Sequence, residues 1–228
     1  MTFAPLLVGL ALGMRHALEP DHLAALSTLA TESRGGARAG FGLGALWGLG
    51  HTLALLAVAG SLAVVGAQMP PAIEAALELS VAVMIFALGI RALRRAWREG
   101  RTGQVHTHAH GDLAHTHAAP PAHVHVRDAT LATRPLLIGL MHGLAGSGAL
   151  TALVIAELPT LAERLGYIAL FGAGSVVGMG LLAGLAGNQL TRWVRRPAIA
   201  TALLFVTGAC SALLGLAWGH TALQGLLG

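Results

Sequence analysis

Apolar residues fill six long stretches of the chain, and short polar segments separate most of them. A transmembrane helix needs about 20 predominantly apolar residues. Stretches of this length lie near residues 4–30, 39–67, 72–95, 134–157, 165–190 and 197–219, and one long polar insert covers residues 98–131. The pattern predicts an all-α integral membrane protein with six transmembrane helices. We expect it in the inner or plasma membrane of a prokaryotic cell.

The composition agrees with a membrane protein and argues against a nucleic-acid partner. Charged residues make up 11% of the 228 residues, compared with about 25% in soluble domains. The formal net charge is +4, but the arginines stand at the ends of the apolar stretches and form no basic stripe with interleaved aromatic residues. The lipid bilayer is therefore the expected surrounding, and no nucleic acid is expected as a partner.

The arginines also predict how the helices cross the membrane. Cytoplasmic connections carry an excess of basic residues. Twelve of the fourteen arginines follow the first, third and fifth predicted helices: Arg34, Arg38, Arg91, Arg94, Arg95, Arg98, Arg101, Arg127, Arg134, Arg192, Arg195 and Arg196. Both termini should then lie outside and the long insert in the cytoplasm.

A short internal repeat divides the chain into two halves. The sequence PLLVGL at 5–10 recurs as PLLIGL at 135–140, and a histidine follows each copy. In this comparison His142 takes the place of His16. Because each half has three helices, the halves must be inverted relative to each other, a plan that many transporters use. We therefore predict three-helix repeats at 1–97 and 132–228 around the insert 98–131.

The most polar part of the first predicted helix is RHALEPDH, residues 15–22. A charged side chain at the bilayer centre costs about 2.5–3.5 kcal/mol on insertion scales, so such residues usually pair or line a cavity. Arg15 and Glu19 are four residues apart, which favours an ion pair on one helix face.

The remaining polar residues of this stretch are His16, Asp21 and His22. On an unbroken helix His16 and His22 would lie about 240° apart and could not bind one ion. Pro20 has no N–H to donate to the carbonyl of His16, so it should kink or open the helix. An opened turn would gather both imidazoles and the carboxylate, either as ligands of Ni²⁺, Co²⁺, Zn²⁺ or Cu²⁺, or as hydrogen-bonded residues that stabilise the kink.

RHALEPDH resembles the HX4DH signature of the nickel/cobalt transporter family (NiCoT, or NicO), with His16, Asp21 and His22 at its defined positions. A second family motif, LGH followed by a small hydroxyl residue, is matched by LGHT at 49–52 and adds His51. The resemblance implies a carrier of Ni²⁺ or Co²⁺ with these residues as ligands, and no enzyme activity. The chain looks like a short, six-helix branch similar to urease-associated and efflux-type members. His142 is a further candidate ligand, as against a neutral packing residue.

The insert carries a histidine tract, composed of His106, His108, His110, His115, His117, His123 and His125. With Ala, Pro, Gly and Thr between them we expect no regular structure without metal. On the cytoplasmic side the tract could buffer metal ions, or it could be a low-complexity linker.

Several alternatives stay open from the sequence. Uptake and efflux are both compatible with it, as are a metal-binding membrane subunit or sensor, a homo-oligomer and a cytoplasmic metallochaperone partner. No GxxxxGK[ST] loop is present, so we expect neither ATP hydrolysis nor a cofactor. AGSG at 145–148 with His220 faintly resembles the rhomboid serine proteases, but Ser147 and His220 should lie toward opposite ends of their helices.

Overall fold

The computed structural model describes residues 3–32, 36–101, 106–110, 113–117, 128–193 and 197–227, and helices account for most of them. The helices are α1 (Phe3–His16), α2 (Pro20–Glu32), α3 (Gly36–Val65), α4 (Pro71–Arg101), α5 (Asp128–Glu157), α6 (Leu161–Trp193) and α7 (Pro197–Leu227). Two short strands, β1 (His106–His110) and β2 (Leu113–His117), lie between α4 and α5.

The first predicted helix is two helices, with a break between His16 and Pro20. Two tight turns fill the break, because the amide of Leu18 donates to the carbonyl of Arg15 at 2.8 Å and that of Glu19 to the carbonyl of His16 at 3.0 Å. Pro20 begins α2, a position where its missing N–H is tolerated. The break therefore lies where the proline predicts it.

Four helices are long and apolar enough to cross a membrane within the described ranges. The spans are Gly36–Val65, Pro71–Arg98, Leu161–Gly187 and Thr201–Leu227. The pieces α1 and α2 have only 14 and 13 residues, so neither reaches the length of a span by itself. The helical content and these spans agree with an integral membrane protein.

The helices pack in pairs around α3 and α6. Helix α3 packs along α6 and α5, α1 packs along α6, and α4 packs along α7. Helix α2 contacts α7, α6 and α4, and α4 also contacts α5. The broken first segment is thus enclosed on several sides by other helices.

Glycines permit the closest of these approaches. A Cβ atom at Gly13 in α1 would collide with the backbone carbonyl of Phe171 in α6. A Cβ atom at Gly143 in α5 would likewise collide with the backbone carbonyl of His51 in α3. Small residues at such positions are typical of helices packed inside membranes.

The insert contains a β-hairpin that the sequence analysis did not predict. Strands β1 and β2 pair antiparallel, with His106 opposite His117 and His108 opposite His115. The expectation of no regular structure is therefore wrong for these ten residues. HTHAH and LAHTH alternate with a period of two, which is the pattern of a strand. His123 and His125 lie outside the described residues.

Candidate metal centre

Polar side chains from four helices converge at the break between α1 and α2. They are His16 at the end of α1, Asp21 and His22 in the first turn of α2, His51 in α3 and His142 in α5. The sequence analysis named all five as candidate ligands, and the structure brings them together. We call them the five-residue cluster.

Three imidazoles form the first group of potential ligands. One ligand atom each from His16, His22 and His51 lies within 4.8 Å of the other two. His16 Nε2 and His51 Nε2 are 3.2 Å apart. The ring centroids of His16 and His22 are separated by 4.3 Å, and those of His22 and His51 by 5.4 Å.

A carboxylate and two imidazoles form the second group. Ligand atoms of Asp21, His22 and His142 also lie within 4.8 Å of one another. Asp21 Oδ2 is 2.6 Å from His142 Nε2 and 3.0 Å from His22 Nδ1. The ring centroids of His22 and His142 are 4.2 Å apart. His22 therefore belongs to both groups.

Most of the cluster is buried, and several of its nitrogens have no hydrogen-bond partner. His22, His51 and His142 are 1%, 0% and 2% exposed. The Nε2 atom of His22 and the Nδ1 atoms of His51 and His142 lack a hydrogen bond. Leaving a buried polar group without a partner costs about 1–3 kcal/mol. Metal binding would satisfy such nitrogens, because neutral imidazole is a common metal ligand.

Glu19 is a site residue that the sequence analysis assigned elsewhere. Its Oε1 atom lies 2.9 Å from His16 Nδ1, and the helix break removes the continuous turn that would pair Glu19 with Arg15. A carboxylate on one ring nitrogen orients the ring and leaves the other nitrogen free to bind metal. The spacing of three residues between His16 and Glu19 was the available signal, because a helix brings such residues together, but Glu19 was assigned to Arg15.

Aromatic rings border the cluster on two sides. The ring centroid of Trp47 lies 5.5 Å from that of His22 and 5.7 Å from that of His142. Phe171 lies 5.2 Å from His16 on the other side. Trp47 belongs to a buried apolar cluster that includes Met179. These walls exclude water and would strengthen electrostatic interactions with an ion.

Thr52, the hydroxyl residue of LGHT, positions the helix that carries His51. Its Oγ1 atom lies 2.8 Å from the carbonyl of Gly48 and 2.9 Å from that of Gly172 in α6. Thr52 is buried. The hydroxyl thus fastens α3 to α6 one residue after the candidate ligand.

The comparison of the two halves needs one correction. Matching PLLVGL with PLLIGL aligns Gly13 with Gly143, and these two glycines make the equivalent close contacts with α6 and α3. In that alignment His142 corresponds to Leu12, and His16 corresponds to Gly146. The prediction that His142 takes the place of His16 was wrong, although His142 does lie in the cluster.

The remaining candidate residues lie elsewhere. His220 is exposed on α7, and the side chain of Ser147 falls outside the described residues. The histidines of β1 and β2 belong to the hairpin.

Comparison with known proteins shows the family of the chain. Residues 4–188 match the sequence model of the NicO family, described as high-affinity nickel-transport protein. The chain is also 32% identical over 211 residues to the urease accessory protein UreH of Bacillus sp. (strain TB-90), an alignment that covers 92% of this chain and 88% of that protein. No solved structure matches the chain. The matched range contains the whole five-residue cluster.

Proposed function

Because the chain belongs to the NicO family of high-affinity nickel-transport proteins, we propose that it carries Ni²⁺ or Co²⁺ across the membrane through the five-residue cluster. The observation that supports this most is a largely buried group of four imidazoles and one carboxylate, in which several ring nitrogens lack a hydrogen bond. The members of this family are transport proteins and not enzymes.

The donor set fits the proposed ions. Imidazole and carboxylate groups without thiolate suit divalent first-row metals such as Ni²⁺, Co²⁺, Zn²⁺ and Cu²⁺. These donors alone do not favour nickel over zinc, so the family supplies the choice of Ni²⁺ or Co²⁺. Zn²⁺ is therefore the ion to include for comparison in any assay.

The proposed topology has six spans, with α1 and α2 together forming the first. Their combined length, residues 3–32, matches the other spans, and broken helices at membrane depth are tolerated where they line a site. The membrane is proposed to be the plasma membrane of a prokaryotic cell, as the Bacillus relative suggests. Both termini then lie outside.

The contacts between the halves support a 3+3 inverted repeat. A Cβ atom at Gly89 in α4 would crowd the backbone nitrogen of Ala212 in α7, and one at Gly215 in α7 would crowd that of Phe86 in α4. These reciprocal contacts are what a two-fold axis between α4 and α7 would produce. Gly13 and Gly143 make a second pair of equivalent contacts, Gly13 of α1 with α6 and Gly143 of α5 with α3.

The histidine tract is proposed to buffer the ion on the cytoplasmic side. The hairpin register places His106 opposite His117 and His108 opposite His115. Directly opposed residues of an antiparallel pair lie on the same sheet face. Two pairs of histidine positions, with His110 beside them, thus share one face, an arrangement suited to weak and exchangeable metal binding.

Flux measurements in proteoliposomes test the proposed function. Wild type should move radiolabelled Ni²⁺ and Co²⁺ across the membrane, and His16→Ala should stop this flux because it removes a cluster ligand. His220→Ala is the matched control, since His220 is an exposed histidine on α7, and its flux should equal that of wild type. Full flux in a well-inserted His16→Ala protein would contradict the proposal.

A further inference from the structure

The five-residue cluster consists of two overlapping groups. His16 and His51 belong only to the first group, Asp21 and His142 only to the second, and His22 to both. Within each group the ligand atoms lie within 4.8 Å of one another, but the two groups do not merge into one at that distance.

The spacing favours two ion positions over one. A metal–imidazole bond is about 2.0–2.1 Å long, so two ligand atoms of the same ion lie at most about 4.2 Å apart. Each group needs only a small contraction to reach this distance. By contrast, neither group contains both His51 and His142.

His22 lies midway between the groups. Its ring centroid is 4.3 Å from that of His16 and 4.2 Å from that of His142. Its Nδ1 atom is 3.0 Å from Asp21 Oδ2 and therefore faces the second group. Its Nε2 atom has no hydrogen-bond partner, and the residue is 1% exposed. No hydrogen bond has to be broken before Nε2 of His22 binds an ion.

We propose that the ion occupies two successive positions, the first among His16, His22 and His51 and the second among Asp21, His22 and His142, and that it passes between them by ligand exchange around His22. The inference rests on the proposed function and adds a path within the site. The ion gives up His16 and His51 as it gains Asp21 and His142, and His22 contributes a ligand to each position.

The two positions differ in charge. The first offers three imidazoles, with the Glu19 carboxylate behind His16. The second offers the Asp21 carboxylate directly to the ion. The second position therefore compensates more of the ion's charge.

Co²⁺ binding to variants that damage one position at a time tests the relay. The experiment uses the full-length chain in detergent. The seven tract histidines are replaced by serine, so that the measured Co²⁺ binding comes from the five-residue cluster. His51→Gln damages the first position and His142→Gln the second. Each single variant should still bind one Co²⁺ with less than about a 100-fold loss of affinity, the upper end for a partner outside the coordination sphere.

The spectra and the flux distinguish the relay from a single composite site. In the relay the visible absorption bands of bound Co²⁺ differ between His51→Gln and His142→Gln, neither variant transports, and the double variant binds no Co²⁺. Identical spectra, or more than a 100-fold loss of affinity in both single variants, would overturn the relay.

A separate result would reject the proposed function without reference to the relay. If the wild-type chain moves no Ni²⁺ or Co²⁺ in proteoliposomes, transport itself is wrong. Size-exclusion elution at the wild-type volume identifies folded variants. If a glutamine variant does not fold, the corresponding asparagine variant replaces it, and the same criteria apply.

Discussion

At the scale of single residues, Glu19 acts on the site through His16. Glu19→Ala removes the carboxylate that lies 2.9 Å from His16 Nδ1, so His16 loses the group that orients its ring. We expect the apparent affinity for Ni²⁺ in transport to fall about 10–100-fold, as is usual for such outer partners. Glu19→Gln should recover most of it, because the amide oxygen still accepts a hydrogen bond. The concentration dependence of the initial flux measures both.

The matched control for Glu19 is Glu157→Ala, which removes an exposed carboxylate at the end of α5. It should leave the affinity unchanged. If Glu19→Ala behaves in the same way as Glu157→Ala, then Glu19 is only a surface charge near the break, and His16 is oriented by its neighbours.

The sequence identified the residues of the cluster better than their arrangement. His16, Asp21, His22 and His51 were found because two local motifs carry them. The pairing of Glu19 with His16 was missed because the spacing of four residues favoured Arg15 as the partner of Glu19. The approach of Trp47 was also missed, because it depends on how α3 packs and no local pattern encodes it.

At the scale of helices, Pro20 is predicted to maintain the break that assembles the cluster. In Pro20→Ala the amide of residue 20 can donate to the carbonyl of His16, and alanine is the best helix former. A continuous helix would place His16 and His22 about 240° apart around its axis. In the protein whose seven tract histidines are replaced by serine, we expect Co²⁺ binding to be lost while the helix content measured by circular dichroism stays the same or rises.

Pro135→Ala provides the control for the proline variant. Pro135 lies inside α5, seven residues before His142. Its replacement should leave Co²⁺ binding intact. If Pro20→Ala also keeps full binding, the break is held by the packing of α2 against α6 and α7, and the proline is dispensable.

Gly143 sets how closely α5 approaches α3 and so how His142 approaches the cluster. The Cβ atom of Gly143→Ala would collide with the backbone carbonyl of His51, and backbone cannot yield as a side-chain end can. Overpacking of this kind costs about 1–3 kcal/mol. We expect a lower melting temperature and reduced flux. Gly42→Ala in α3, where an added Cβ meets nothing within 4 Å, should change neither.

At the scale of the whole molecule, hydropathy located the helices well and their interruptions less well. The second, third, fifth and sixth predicted stretches overlap the four candidate spans. The first stretch is broken because the constraint of Pro20 outweighs a continuous apolar run. The hairpin of β1 and β2 was missed because the histidine tract was interpreted by composition, which favours disorder, although its alternation favours strands.

The six-span topology predicts that the α3–α4 and α5–α6 connections lie on the same, outer face. The structure agrees with a shared face, since Ala63 near the end of α3 and Leu158 after α5 belong to one buried apolar cluster. Single cysteines test which face it is, once the native cysteine is removed by Cys210→Ser. A membrane-impermeant maleimide should label Gln68→Cys and Thr160→Cys in intact cells, because both positions are exposed.

A cysteine in the insert tests the cytoplasmic face in the same labelling experiment. Gln104→Cys lies in the arginine-flanked insert that the positive-inside rule places in the cytoplasm, so it should react only after the cells are permeabilised. If Gln104→Cys is labelled in intact cells while Gln68→Cys and Thr160→Cys are protected, the membrane orientation is the opposite of the one predicted. Labelling of Gln68→Cys without Thr160→Cys would contradict the six-span arrangement itself, because the two connections would then lie on opposite faces of the membrane.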